Sequence, residues 1–204
     1  MAKTLRFIIV PKVANHPWFN EIDKGAKAQA NILSRELNIE ILVESIAPAI
    51  CDVTEQNAIL DQILKLKPTG IAIDPVDEAS HIPAINRIRA AGIPVVLFDS
   101  PSEDNSITSI GNNFEEQGTI AAERLAKLIG RTGKVAVMQG FPLAPNHKAR
   151  YEAQLAVLSK YSQICVVDGG VDNDDIETAH QQCAMILKAH PDLQGYLCCD
   201  ASGP

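Results

Sequence analysis

Aromatic side chains are scarce in this chain: one tryptophan, three tyrosines and five phenylalanines in 204 residues. Basic runs are missing, and the formal net charge is −7. That balance argues against a nucleic-acid or anionic-membrane surface, because neither attracts an acidic protein. No apolar stretch approaches the roughly 20 residues that span a bilayer. Met1-Ala2-Lys3-Thr4 leads straight towards a strand without the charged and apolar regions of a secretion signal, so no signal is expected within this sequence. The five cysteines, Cys51, Cys165, Cys183, Cys198 and Cys199, contain no Cys-x-x-Cys pair. That spacing disfavours structural zinc and suits small buried hydrophobes. No Gly-x-Gly-x-x-Gly follows the first strand, which removes the usual dinucleotide reading. Gly130-Arg131-Thr132-Gly133-Lys134 lacks the spacing of a phosphate loop and precedes a strand instead of following one.

What is present is a regular alternation of short apolar runs with amphipathic segments. Leu5 to Val10 reads as a strand; Phe19, Ile22, Ala26, Ala30, Leu33 and Leu37 then recur at helical spacing. Ile39 to Val43 is a second strand, and Asp52 with Glu55 three positions later marks the start of the next helix. Ile71 to Ile73 is a strand that ends in Asp74. A helix capped by Glu78 or Ser80, with Pro83 in its first turn, closes at Gly92. Val95 to Phe98 is a strand that ends in Asp99. A second round begins at Ile107 to Ile110, with helices at 115–129, 150–158 and 176–187 and strands at 135–138, 164–167 and 196–199. This pattern predicts an α/β protein of two Rossmann-like lobes, each a parallel sheet flanked by helices. The division falls near Asp104 to Asn113, beside the polar stretch Ser102-Glu103-Asp104-Asn105-Ser106, giving an N-terminal lobe over 1–104 and a C-terminal lobe over 105–204. The last strand has no following helix, so the second lobe is expected to be truncated, its final crossovers missing.

In parallel sheets ligands sit at the carboxyl ends of the strands. Those ends here carry Pro11 to Phe19, Asp74, Asp99 and Ser100, Asn112 and Asn113, Gln139 to Arg150, Asp168 and Asp200. A carboxylate such as Asp99 accepts two hydrogen bonds in fixed geometry, which suits a polyol or sugar. Trp18 and Phe19, beside His16, offer flat faces for a ring. The histidines have no helical pairing with acids that would make a metal site; His81, His180 and His190 read as solvated helix residues, whereas His16 and His147 lie in strand-end loops.

The order of parts resembles the ribose-type periplasmic sugar-binding proteins, whose type I periplasmic-binding fold is shared by lactose-repressor-type effector domains. The matching residues are Ile9-Val10-Pro11-Lys12 with Asn15-His16-Pro17-Trp18-Phe19, Gly70 to Pro75, Ala91 to Val96 through Asp99, Gly111-Asn112-Asn113 with Gly118, Gln139-Gly140, Arg150, and Cys199 to Gly203. The resemblance implies that Trp18 and Phe19 stack on a sugar, that Asp99, Arg150 and Asp200 bind its hydroxyls, and that His16, Asn113 and Asn146 lie close by. Where the family commonly has arginine after the strand-end acid this chain has Ser100, and where it often has an amide it has Asp200, a more acidic pattern. Family members run on for about another 80–100 residues.

The resemblance implies a solute-binding protein that captures a sugar or polyol between two lobes for the membrane permease of an ABC importer. It would be periplasmic or extracellular, with or without a lipid anchor. The alternative is the ligand-sensing domain of a transcription regulator or membrane receptor, cytoplasmic in the regulator case. Neither reading requires an enzyme, a cofactor, a metal or a nucleic-acid partner.

Overall fold

A computed structural model of the chain describes residues 4–100, 102, 104 and 106–203. The chain forms two compact units, Met1–Gly111 and Asn112–Pro204. In the first, β1 (Thr4–Val10), α1 (Pro17–Leu37), β2 (Glu40–Ser45), α2 (Val53–Leu66), β3 (Gly70–Ile73), α3 (Glu78–Ala90), β4 (Val95–Phe98) and β5 (Thr108–Ile110) follow in order. Their strands make one parallel sheet in the order β2-β1-β3-β4-β5. The second unit holds α4 (Phe114–Leu128), β6 (Gly133–Gln139), α5 (Pro145–Leu158), β7 (Ile164–Val171), α6 (Ile176–Ala189) and β8 (Leu193–Cys198). Its parallel sheet has the order β7-β6-β8. Among the described residues, no helix is long and apolar enough to cross a membrane.

The strand at 108–110 belongs to the first sheet, not to a second round: Val96 to Phe98 of β4 pair with Thr108 to Ile110. A three-residue strand cannot declare its sheet by composition; pairing does. The division therefore falls after Gly111, and residues 106–111, assigned to the second lobe, join the first.

Local signals explain most helix ends. Asp52 caps α2 by accepting the Glu55 N–H at 2.7 Å. Asp175 caps α6 through Thr178 N–H at 2.8 Å. α3 departs from expectation: its N-cap is Asp77, whose side chain makes no capping bond, and Pro83 lies inside the helix. Proline there removes one helical hydrogen bond. α5 starts at Pro145, at the first helical position, so Arg150 sits in the second turn and not at the helix start. Each unit has an aliphatic core. In the first, Ile8, Val10, Leu60, Ile63, Ile73, Ile85 and Leu97 pack together; in the second, Ala122, Val135, Val137, Leu158 and Leu197 do.

His81 is corrected by the structure. It is fully buried in α3, and neither ring nitrogen has a hydrogen-bond partner among the described residues. Burial pushes its pKa down to about 4, against a weaker pull from Asp77. The folded chain thus holds His81 neutral where the unfolded chain would protonate it. Its contribution is complete above pH 6.5 and is lost as pH falls towards 4. His81→Leu is expected to flatten the stability-versus-pH curve in that window by on the order of 1 kcal/mol per pH unit. Urea unfolding of both proteins at stepped pH checks this; parallel curves would refute it.

Candidate functional site

In the first sheet the chain leaves β1 in one direction to form β2 and returns on the other side to form β3. The carboxyl ends of β1 and β3 are therefore a topological switch point. Lys12 follows β1, Asp74 follows β3, and Asp99 follows the next strand, β4. These three side chains meet. Lys12 Nζ lies 2.9 Å from Asp74 Oδ2 and 3.5 Å from Asp99 Oδ2. The lysine and Asp74 side chains are fully buried and that of Asp99 is 10 % exposed. The Lys12–Asp74 contact is a fully buried ion pair. Burial drives the Asp74 carboxyl above the ordinary carboxylate range; Lys12 opposes the rise and the Asp99 charge adds to it.

The loops carrying this cluster are tied by Gln56 from α2. Its Nε2 donates to the carbonyls of Pro11 (3.1 Å) and Asp74 (2.9 Å), and its Oε1 accepts the Val76 N–H at 2.9 Å. Asp99 adopts φ 58°, a left-handed conformation that Asp tolerates better than most side chains. Its N–H donates to Ile110 O at 2.9 Å. Ser100 is fully buried, and its N–H reaches Asp74 Oδ1 at 3.2 Å.

His16 is the N-cap of α1, its Nδ1 accepting the Trp18 N–H at 3.3 Å, with Pro17 at the first helical position. Phe19 is buried, its ring 5.6 Å from His16 and edge-on to Phe98 at 6.5 Å. Trp18 is 46 % exposed. The two adjacent aromatics thus separate: one lines the interior and one is offered to solvent. A cavity of about 470 Å³ runs beside Phe19 and Phe98, with Pro11, Asn15 and Asp23 in its wall. Asp99 and Trp18 are not among its lining residues.

In the second sheet the switch point lies between β6 and β8. Arg150 is clamped there: Nε donates to Gln117 Oε1 at 2.9 Å, a terminal nitrogen donates to Cys199 O at 3.2 Å, and the guanidinium lies 4.6 Å over the Phe114 ring. α4 and α5 approach so closely that a Cβ on Gly118 would sit 2.4 Å from Arg150 O, so the contact requires glycine. Asn113 is exposed and caps α4 by accepting the Glu116 N–H at 3.0 Å. Asn146 is fully buried, and its Oδ1 accepts the His147 N–H at 3.0 Å.

β7 runs on to Val171, past the end expected for it, because a register shift against β6 accommodates Gly169, whose Cβ would meet the Val137–Met138 backbone at 2.6 Å. Asp168 is consequently an exposed mid-strand residue, and the buried strand-end acid is Asp172. Asp172 lies against Asp200. Burial first, and the Asp200 charge second, push its pKa up to about 8. Oδ2 of Asp172 and both carboxyl oxygens of Asp200 are shut off from solvent with no hydrogen-bond partner among the described residues. The expectation that no histidine joins acids in a metal-like group rested on local spacing. Tertiary structure brings His147, Asp174 and Asp200 together, with one donor atom from each within 4.8 Å of the others.

Among the described residues no disulfide links the cysteines, and burial raises the Cys198 and Cys199 thiols to about 12, which leaves them unreactive near neutral pH. Lys12, Gln56 and Asp172 were not picked out from the sequence as site residues. Lys12 could have been found as a charged residue immediately after a buried strand. Gln56 carries no such signal.

The family model described as "Periplasmic binding protein domain" matches residues 7–204. This chain belongs to that family. Like other periplasmic binding proteins it has relatives named for sugar import. It is 23 % identical over 183 residues to the ribose import binding protein RbsB of Bacillus subtilis, covering 88 % of this chain and 56 % of that protein. It is 26 % identical over 196 residues to RbsB of Escherichia coli, covering 95 % and 63 %. A crystal structure of an ABC transporter solute-binding protein from Burkholderia graminis, in complex with D-arabinose, superposes with a TM-score of 0.88 at 28 % identity, covering 100 % of this chain and 68 % of that one. The chain therefore spans about three fifths of the length of these curated relatives.

Proposed function

We propose that the protein is a solute-binding protein that captures a monosaccharide or related polyol for an ABC importer. The observation that carries this is Asp99: a carboxylate held at a strand end by its own backbone bond and by Lys12, beside a sheet switch point. Oxygens fixed in this way present a rigid pair of acceptors to vicinal hydroxyls. Trp18 supplies an exposed ring face for stacking, and Phe19 supports it from the interior. Arg150, pre-oriented by Gln117 and Phe114, supplies a further polar contact, with His16, Ser100, Asn113 and Asn146 placed to shape the loops around it. Capture followed by lobe closure requires no covalent chemistry, cofactor or nucleophile. The membrane permease is the partner this reading implies, and the location is outside the cytoplasmic membrane. The relatives' names, ribose import in two cases and a bound D-arabinose in a third, make pentoses the first ligands to try. No relative described here favours the regulator reading.

A thermal-shift screen of the full-length protein against pentoses, hexoses, polyols and their amino derivatives tests this. A true ligand at 100 times its Kd adds about 2.7 kcal/mol to the stability by mass action. A melting point unmoved by every sugar and polyol would sink the reading.

A further inference from the structure

The first turn of α5 and the loops after β7 and β8 converge on an acidic cluster with an imidazole. His147 and Asp174 are 4 % and 6 % exposed, and Asp172 is fully buried. Gly140, at the end of β6, is where a side chain would spoil the arrangement: its Cβ would lie 2.5 Å from His147 Nδ1 and 2.9 Å from Asp200 Oδ2. The glycine is thus required for the histidine and the aspartate to close on one another. Asn173 and Asp174 both take left-handed φ (57° and 62°), which turns the loop so that Asp174 re-enters the protein, its N–H on Asp172 Oδ1 at 2.9 Å. Ser202 Oγ approaches Asp174 Oδ1 at 3.4 Å.

We propose that His147, Asp174 and Asp200 bind a divalent first-row metal ion of the zinc type, with Asp172 completing the negative charge around it. One donor atom from each of the three lies within 4.8 Å of the others, so a point exists within about 2.8 Å of all three. Bonds of about 2.0–2.2 Å to imidazole nitrogen and carboxylate oxygen then need each donor to close by about 0.6–0.8 Å. Beside those three donors, Asp172 is a fully buried carboxylate whose Oδ2 has no hydrogen-bond partner among the described residues. Buried carboxylates of this kind are neutralised by a proton or a cation, and one nitrogen with several carboxylate oxygens is a donor set for Zn²⁺ or Mn²⁺ rather than for a thiolate-seeking metal. His147 Nδ1 accepts the Phe141 N–H at 3.0 Å. A metal on that nitrogen takes the lone pair and releases the amide, so Phe141 reports on binding. The ion would fasten the start of α5 to the loops after β7 and β8.

The test is calorimetric titration of the full chain with ZnCl₂ in the absence of any sugar, so that its outcome is separate from that of the sugar screen. One saturable equivalent per chain, a raised melting point and a shifted Phe141 amide resonance are expected. His147→Ala, Asp174→Asn and Asp200→Asn should each weaken binding about 100-fold. Asp200→Asn is the safeguard if another variant fails to fold, because its oxygens accept no hydrogen bond whose loss would unfold the chain. Asp192→Asn, an exposed acid paired with Lys134, should leave uptake unchanged. Absence of saturable uptake, or uptake undiminished in the three variants, would overturn the proposal and leave protons as the neutralising cations.

Discussion

Replacing Lys12 by methionine is expected to lower the unfolding free energy by about 3–5 kcal/mol, the cost of stripping a buried ion pair of one partner. Lys12 and Asp74 have no exposed side-chain surface, and Asp99 has little. Methionine keeps most of the aliphatic stem, so the loss reports charge and not packing. Asp74 would then face the Asp99 carboxyl without the ammonium and would resist ionising still more. Protonation relieves that conflict, so the deficit should shrink as pH falls and grow as it rises through neutrality. Adding Asp74→Asn should recover a substantial part of it. Urea denaturation of the three proteins at pH 5 and pH 8 checks all of this. A loss below about 1 kcal/mol at pH 8 would show that water reaches the cluster and that the lysine is not its keystone.

The second large effect concerns ligand. Asp99→Ala should weaken the sugar or polyol found in the screen about 100-fold or more, because it removes a charged acceptor whose bound hydroxyl partners are then left unpaired. The fold should tolerate the change, since the 2.9 Å pair of Lys12 with Asp74 remains. Asp99→Asn, which keeps the shape and one acceptor oxygen, should fall between. Calorimetry on the full-length protein decides it, and affinity within twofold of the parent would remove Asp99 from the site.

Much of the framework was legible because it depends on local rules. Apolar runs followed by acids marked β3 and β4, Asp52 and Glu55 marked the start of α2, and glycines marked the ends of α3 and α4. Errors came where a decision was non-local. The 108–110 strand read as the opening of a second lobe until its pairing with β4 was visible. Asp168 read as a strand end because a bulge that prolongs β7 leaves no mark in composition beyond Gly169. His81 read as solvated because polarity, not position on the helix, set the expectation.

The sequence by itself determined the alternation of strands and helices, the parallel sheets that alternation requires, and the carboxylates at strand ends, since each follows from periodicity and chain direction over a few residues. Only the tertiary structure decided which charges meet. Lys12, Asp74 and Asp99 are far apart in the chain and within an ion pair's reach in space. His147 comes from the first turn of α5, and Asp174 and Asp200 come from the loops after β7 and β8. The worth of a charge depends on its burial and its partner, and strand order supplies both.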